Sequence, residues 1–467
     1  MPGVAVPPLA DRDRGDLATP GPRHPASGIG PRTVRRTRRI LVSGAAVGSI
    51  AIGLFVAGAL SGAPSKPAVS TASASRPDTL AGEISAAQAQ LRITPGDARL
   101  WAALGLAYVS QAKAAVDPSY YLKAEGAISR SLALDARTND VGYAALAALR
   151  NAEHQFPAAL AAARRGIAIN PYSSTLYGAL GDADTQLGRY AAATKAIDRM
   201  NTLLPGVPAF TRASYVFELR GDVRRARGAL NRALQDATSR SDIAFARTYL
   251  GELSFNYGGD AAAALAQFRA GLRTDPTDAA LRDGEAKALA ALGRTKEALS
   301  AYASLVSAVP QPQYVLEYAE LLSSQGDPAA SRQYALFRTE EALFRANHVV
   351  LDTEPTLFEA DHGSPAKALD YAVAGWKSRP FLEMADAYAW ALYANKRYVE
   401  ALAWSDKALA TGWTNALFHF HRGMILAKLS RPAAARQELS QALRLNPHFN
   451  PLQAPQARLA LAALSSR

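Results

Sequence analysis

The sequence predicts an all-α fold, a solenoid built from helical hairpins. Three observations predict it. Apolar and small residues recur with a period near 34 over most of the chain, alanine is the commonest apolar residue, and Gly and Pro punctuate the pattern at fixed offsets. Alanine favours helix and lets helices approach closely. Of the 467 residues, 49% are hydrophobic, so the chain can bury a sizeable core. There is no cysteine, which excludes a disulfide framework and a thiolate metal site.

The first segments differ in kind from the rest. Residues 1–39 hold seven prolines and eight arginines with almost no apolar periodicity, which predicts a disordered basic tail on the cytoplasmic side. Residues 40–60 carry no charge. As a helix they would span about 31 Å, enough for a bilayer core. Five arginines lie at 32–39 just before the run, and the positive-inside rule then places everything after residue 60 outside the cytoplasm. The expectation is a single-pass anchor. Two rivals stand beside it: Ala57-Gly58-Ala59 reads as a signal cleavage site, giving a secreted protein, and residues 37–42 resemble a twin-arginine export signal. Residues 61–77 form a Ser/Ala/Pro linker, and helical pattern begins at Asp78. The net charge is +12, of which the first 39 residues carry +5 (eight Arg less three Asp). The remainder reads as a solvated surface and not as a nucleic-acid footprint.

Residues 177–205 show the repeat most clearly. With Tyr177 as position 4, Leu180, Gly181, Gly188, Tyr190, Ala193, Ile197, Met200 and Pro205 occupy positions 7, 8, 15, 17, 20, 24, 27 and 32 of a 34-residue unit. Tyr143, Leu146, Ala147, Ala159, Ala163 and Pro171 stand one unit upstream, and Ala286, Leu289, Gly293, Ala298, Tyr302 and Pro310 keep phase downstream. Small residues at 8 and 20 let two helices touch, and large ones at 4, 7, 11 and 24 fill the seam between them. Glycine at 15 supplies the turn, and proline at 32 ends the second helix. One hairpin cannot bury its apolar face, so neighbours stack.

This pattern resembles the tetratricopeptide repeat (TPR) in a bacterial, membrane-anchored protein. The resemblance covers residues 78–467 and implies a right-handed superhelical solenoid. Units are expected at about 98–136, 140–172, 174–206, 207–239, 245–277, 279–311, 312–345, 349–381, 382–414 and 416–448, with caps at 78–94 and 451–466. The first unit carries extra residues around 111–121, expected as a longer inter-helix loop. The eighth has Pro355 where its first helix should run, and the fifth is uncertain in register by one residue.

Catalytic motifs are missing. No nucleophile elbow, zinc-protease helix or phosphate loop occurs. His419 and His421, two apart on a helix, face different ways and make poor joint metal ligands. Asp361-His362-Gly363 reads as a turn. The expectation is therefore no enzyme, no cofactor and no metal.

Function falls to a surface. In TPR proteins, positions 2, 5, 9, 12 and 13 of the first helix line a concave groove that binds protein segments. Carried over, the resemblance assigns Asn151, Asp182, Thr185, Gln186, Tyr215, Glu218, Tyr249, Asn256, Tyr257, Asp283, Lys287, Glu320, Glu383, Asp386, Trp390 and Tyr393. Six carboxylates stand there against one lysine, on a chain of net positive charge. The implied role is a membrane-anchored extracytoplasmic scaffold whose protein or peptide partner presents a basic segment. An accessory subunit of an envelope enzyme or transporter is the rival class.

Overall fold

A computed structural model describes residues 80–115 and 117–465. The expected tail, membrane helix and linker at 1–77 lie outside the described residues. Among the described residues every regular element is an α-helix, and no helix is long and apolar enough to cross a membrane.

The helices pair as the period demands. Helix α1 (Leu80–Ile93) caps the start. Ten hairpins follow: α2 (Ala98–Ala115) with α3 (Ser119–Leu134), α4 (Asp140–Ala152) with α5 (Phe156–Ile169), α6 (Ser174–Gln186) with α7 (Tyr190–Leu203), α8 (Val207–Glu218) with α9 (Val223–Asp236), α10 (Arg240–Asn256) with α11 (Ala261–Leu272), α12 (Ala279–Ala291) with α13 (Thr295–Ala308), α14 (Pro312–Ser324) with α15 (Ala330–Ala346), α16 (Thr353–His362) with α17 (Pro365–Ser378), α18 (Leu382–Ala394) with α19 (Tyr398–Ala408), and α20 (Ala416–Lys428) with α21 (Pro432–Leu445). Helix α22 (Gln453–Ser465) caps the end.

The small residues sit where close approach requires them. A Cβ on Gly181 would stand 2.8 Å from Ile197 Cγ1 and 3.5 Å from the Ala193 carbonyl, so positions 8 and 20 do face each other. Ala193 is 1% exposed, whereas Ala191 is exposed. In seven units the turn after the first helix passes through a left-handed residue at position 15, whereas Gly363 of the eighth has φ −134°. Gly188, Gly221, Gly293 and Gly326 supply the left-handed residue in four units, and His154, Lys396 and Ser430 are forced into that conformation in three others.

Three local expectations need correction. The extra residues of the first unit lengthen α2 to 18 residues instead of making a long loop, because the inserted stretch is alanine-rich and propagates the helix. Pro355 does not break the eighth unit. It is the third residue of α16, inside the first turn, where a missing backbone N–H leaves no bond unmade. The first helix of the fifth unit runs one residue earlier than placed, while its second helix keeps phase with Ala264 at position 20 and Phe268 at 24, the extra residue lying in the Gly258-Gly259 turn. Gly251, whose Cβ would meet Phe268 at 2.4 Å, is its position 8, and Glu252 is therefore its position 9.

The array also turns back on itself. Position-15 turns of the second to fifth units lie against connections some six units later. The His154 ring meets the Val350 carbonyl at 2.9 Å across 196 residues. A Cβ on Gly188 would stand 2.5 Å from the Pro380 carbonyl oxygen, one on Gly221 2.5 Å from that of Gly412, and one on Gly259 2.4 Å from Pro447 Cδ. The Gly258 N–H donates to the Leu445 carbonyl at 2.7 Å. Aromatic rings thicken this seam, with Phe381 and Trp413 wholly buried in one apolar cluster with Tyr215, Leu382 and Phe418.

Candidate functional site

Because the seam closes, the inner faces of the first helices line one half-open chamber. Its volume is about 1090 Å³, at the upper end of what ligand cavities reach. The exposed residues Ala114, Thr277 and Arg458 lie on its lining and mark where it meets solvent. Phe255, Phe344, Leu357, Phe358 and Trp413 contribute apolar wall.

Ten of the sixteen residues expected in the groove line this chamber: Asn151, Glu218, Tyr249, Asn256, Tyr257, Asp283, Lys287, Glu320, Glu383 and Asp386. The other six stand beside it. Asp182 accepts two hydrogen bonds of 2.9 Å from the Arg212 guanidinium, a fork-to-fork pair with both side chains under 5% exposed. The Thr185 hydroxyl donates to the Gly181 carbonyl within its own helix. Gln186 Oε1 accepts from Arg379 Nε at 2.6 Å across the seam. Tyr215 packs edge-on against Trp413. Trp390 Nε1 donates to Asp361 at 2.7 Å, and its ring stacks on Tyr393 and on His421.

Most of the expected carboxylates are already paired. Glu218 accepts from the Tyr257 hydroxyl at 2.9 Å, and Trp413 Nε1 donates to that same hydroxyl. Lys287 bridges Asp283 at 2.7 Å and Glu317 at 2.9 Å. Glu320 contacts His362 Nε2 at 3.2 Å and accepts from Asn450 Nδ2 at 2.7 Å. Arg379 reaches Glu383 at 3.3 Å and Asp352 at 3.2 Å. Asp386 meets His421 Nδ1 at 2.8 Å. His419 turns the other way to Glu438, and Asp361 and His362 bond to different partners, so neither pair forms a joint site.

Counting groove positions alone misses position 6. Position 9 of one unit meets position 6 of the next: Asp182 meets Arg212, Lys287 meets Glu317, and Trp390 stacks on His421 at 4.1 Å. The shift of one residue in the fifth unit likewise hid Glu252. Arg379, at the end of the eighth unit, carried no positional signal, since its role depends on the seam.

Burial dominates the electrostatics. It pushes Glu383 up to about 8, against the pull of Arg379 and with help from Glu354. It pushes Glu218 up to about 7, against the Tyr257 hydrogen bond. Asp283 is raised by burial and then by the neighbouring Glu317. For Lys287 burial alone would lower the ammonium, but Asp283, Glu317 and Glu252 together raise it. Lys113, with fewer compensating charges, is lowered by burial to about 8. Eleven Asp and Glu residues line the chamber against Lys113, Lys287 and Arg458. Some acceptors there have no donor from the chain. Asn151 Oδ1 and Asp386 Oδ1 are buried without one, as is His421 Nε2, an acceptor when Nδ1 donates to Asp386. Among the described residues no three His, Asp or Glu gather as a metal site.

Fold and interior together define a solenoid of helical hairpins with an acidic, half-open interior. Solved structures similar to it include tetratricopeptide repeat proteins. TTC0263, a thermophilic TPR protein of Thermus thermophilus, is 23% identical over 37% of this chain and 91% of its own, with a TM-score of 0.34. A tetratricopeptide repeat protein from Parabacteroides merdae is 16% identical over 56% of this chain and 98% of its own, with a TM-score of 0.34. The Cut9-Hcn1 hetero-tetramer of the APC/C matches at 14% identity over 83% of each chain, with a TM-score of 0.40. No protein-family model and no curated protein matches the chain.

Proposed function

We propose that this protein is a membrane-anchored, extracytoplasmic scaffold that holds a protein partner through the inner face of its hairpins. The partner segment carries Arg or Lys beside apolar anchors and enters the chamber. One observation carries this reading: an acidic interior, with apolar walls and buried acceptors that no donor of the chain satisfies. Ammonium or guanidinium N–H groups would complete those acceptors, and a cation is favoured among carboxylates withdrawn from water. The uncharged run at 40–60 behind five arginines supports the anchor and the outside location. Ala57-Gly58-Ala59 favours a second reading, in which the same scaffold is released after cleavage.

Crosslinked complexes purified from membranes test the partner. Glu252→Gln with Asp386→Asn removes two chamber charges while keeping shape, so capture should weaken and become less salt-dependent. Undiminished capture at low salt would overturn the electrostatic reading. A reporter active only outside the cytoplasm, fused after residue 467, should be active. Activity of a cytoplasm-only reporter would overturn the topology.

A further inference from the structure

The outer face of the second to fourth hairpins differs from the rest of the array. Helices α5, α7 and α9 present Arg164, Arg165, Lys195, Arg199, Arg224 and Arg232; Arg164 lies near the Asp184 carboxylate, and none of the six forms an ion pair within 4 Å among the described residues. Only Asp198 and Asp236 oppose them on those helices. The second helices of the later units are nearly balanced, for instance Lys407 against Glu400 and Asp406 in α19. Together α5, α7 and α9 carry +6 (eight Lys and Arg less two Asp), half of the chain's +12.

Three of these arginines are held in place. Arg165 lies over the Tyr143 ring at 5.5 Å, Arg199 over Tyr177 at 6.0 Å and Arg232 over Phe210 at 4.3 Å. The aromatic is position 4 of the hairpin in each case, so the same stacking repeats from unit to unit. It covers the aromatic faces and projects guanidinium edges to solvent in a row. At the ends of the same helices two apolar side chains stand free: Tyr172, 74% exposed after α5, and Leu204, 57% exposed after α7.

We propose that this stripe docks on an anionic phospholipid surface, with Tyr172 and Leu204 entering the headgroup layer. Repeated guanidinium groups match a field of phosphates, and each basic side chain near such a surface adds to binding. Tyr and Leu beside them suit an interface that is polar outside and apolar just below. Single-stranded nucleic acid, by contrast, needs open aromatic faces for base stacking, and here those faces lie under arginines. The proposal goes beyond the scaffold reading and does not depend on residues 40–60.

The test uses the full chain and a readout local to the stripe, the acetylation rate of Lys195 by a water-soluble reagent. Any insertion by residues 40–60 is then common to all arms. Vesicles of phosphatidylcholine containing phosphatidylglycerol should slow labelling about tenfold, and the effect should fade as salt shortens the screening length. Phosphatidylcholine alone should have no effect. Arg164→Glu with Arg165→Glu, Arg224→Glu and Arg232→Glu should abolish the protection at unchanged helical content, with a melting temperature lowered by the loss of the stacked Arg165 and Arg232. Should that variant fail to fold, the corresponding Gln variant carries the same comparison. Tyr172→Ser with Leu204→Ser should reduce protection without altering charge. Equal labelling on both vesicle types would overturn the proposal, and so would full protection in the Tyr172/Leu204 variant. Protection by duplex DNA that matches or exceeds that by anionic vesicles would reassign the stripe to nucleic acid.

Discussion

Replacing Gly188 by Ala isolates the seam from the turn. Gly188 and Gly293 are both position-15 residues, with φ of 68° and 75°. An Ala at either site meets the same left-handed backbone, at about 1–2 kcal/mol, partly offset by about 0.4–1 kcal/mol of lost unfolded-state freedom. Their surroundings differ. The Cβ at 293 meets nothing within 4 Å, whereas the one at 188 stands 2.5 Å from the Pro380 carbonyl oxygen. Backbone cannot rotate away as a side-chain tip can, so the seam must part locally. Such overpacking costs about 1–3 kcal/mol more, and it pulls on the Gln186–Arg379 bond two residues away. Gly293→Ala should therefore lose about 1 kcal/mol and Gly188→Ala about 2–4 kcal/mol. Urea unfolding followed by tryptophan fluorescence reads both, since Trp413 is buried in the seam. Losses equal within about 0.5 kcal/mol would refute the claim that the two rows of loops press on each other.

Three further outcomes follow from the packing and the charges. Ala193→Leu should overpack the contact beneath Gly181 and cost about 1–3 kcal/mol, whereas Ala191→Lys should stay within roughly 0.5 kcal/mol; equal losses in chemical denaturation would place the repeat phase wrongly. Glu218 and Glu383 have pKa values raised in the fold to about 7 and about 8, so the folded state holds more protons than the unfolded chain between roughly pH 4.5 and those values, and stability should fall by a few kcal/mol as pH rises through that window. Glu383→Gln should flatten the fall, and a melting temperature that rises from pH 5 to 8 would refute the burial argument. Asp182→Asn should cost about 3–5 kcal/mol because it strands the buried Arg212, and a loss under about 1 kcal/mol would show that the pair is solvated.

The hairpins were legible because their signal is local. Positions 8 and 20 fix two touching helices within one unit and stay small from unit to unit, and proline at 32 marks the stop in six of them (Pro171, Pro205, Pro276, Pro310, Pro380 and Pro447); only Pro355, the α2 extension and the fifth-unit register were misread. The residues of the inner face were also legible as a set, since ten of the expected sixteen converge on one chamber. Their availability was not. Whether Asp182 faces a ligand or a partner depends on Arg212, which sits at a position that resemblance to an open groove does not flag. Gly188 illustrates the same limit. In sequence it explains a turn, and the approach of Pro380 is invisible because it depends on how many hairpins complete one circuit of the array.

That circuit changes what kind of polymer the chain is. An open repeat array is nearly one-dimensional, so its ends fray, its middle melts in segments, and units are gained or lost with little penalty. Here the bond from Gln186 to Arg379 joins residues 193 apart, and the contact of His154 with Val350 spans 196. Such links tie interior hairpins to distant ones as a second thread ties the rows of a fabric. Folding must close these very long loops before the links form, which slows the last step and favours all-or-none melting over gradual unravelling. Repeat number becomes a constrained quantity as well. Excising one hairpin between 190 and 378 would bring Gly188 opposite a different connection, and every rung beyond it would have to find a new match.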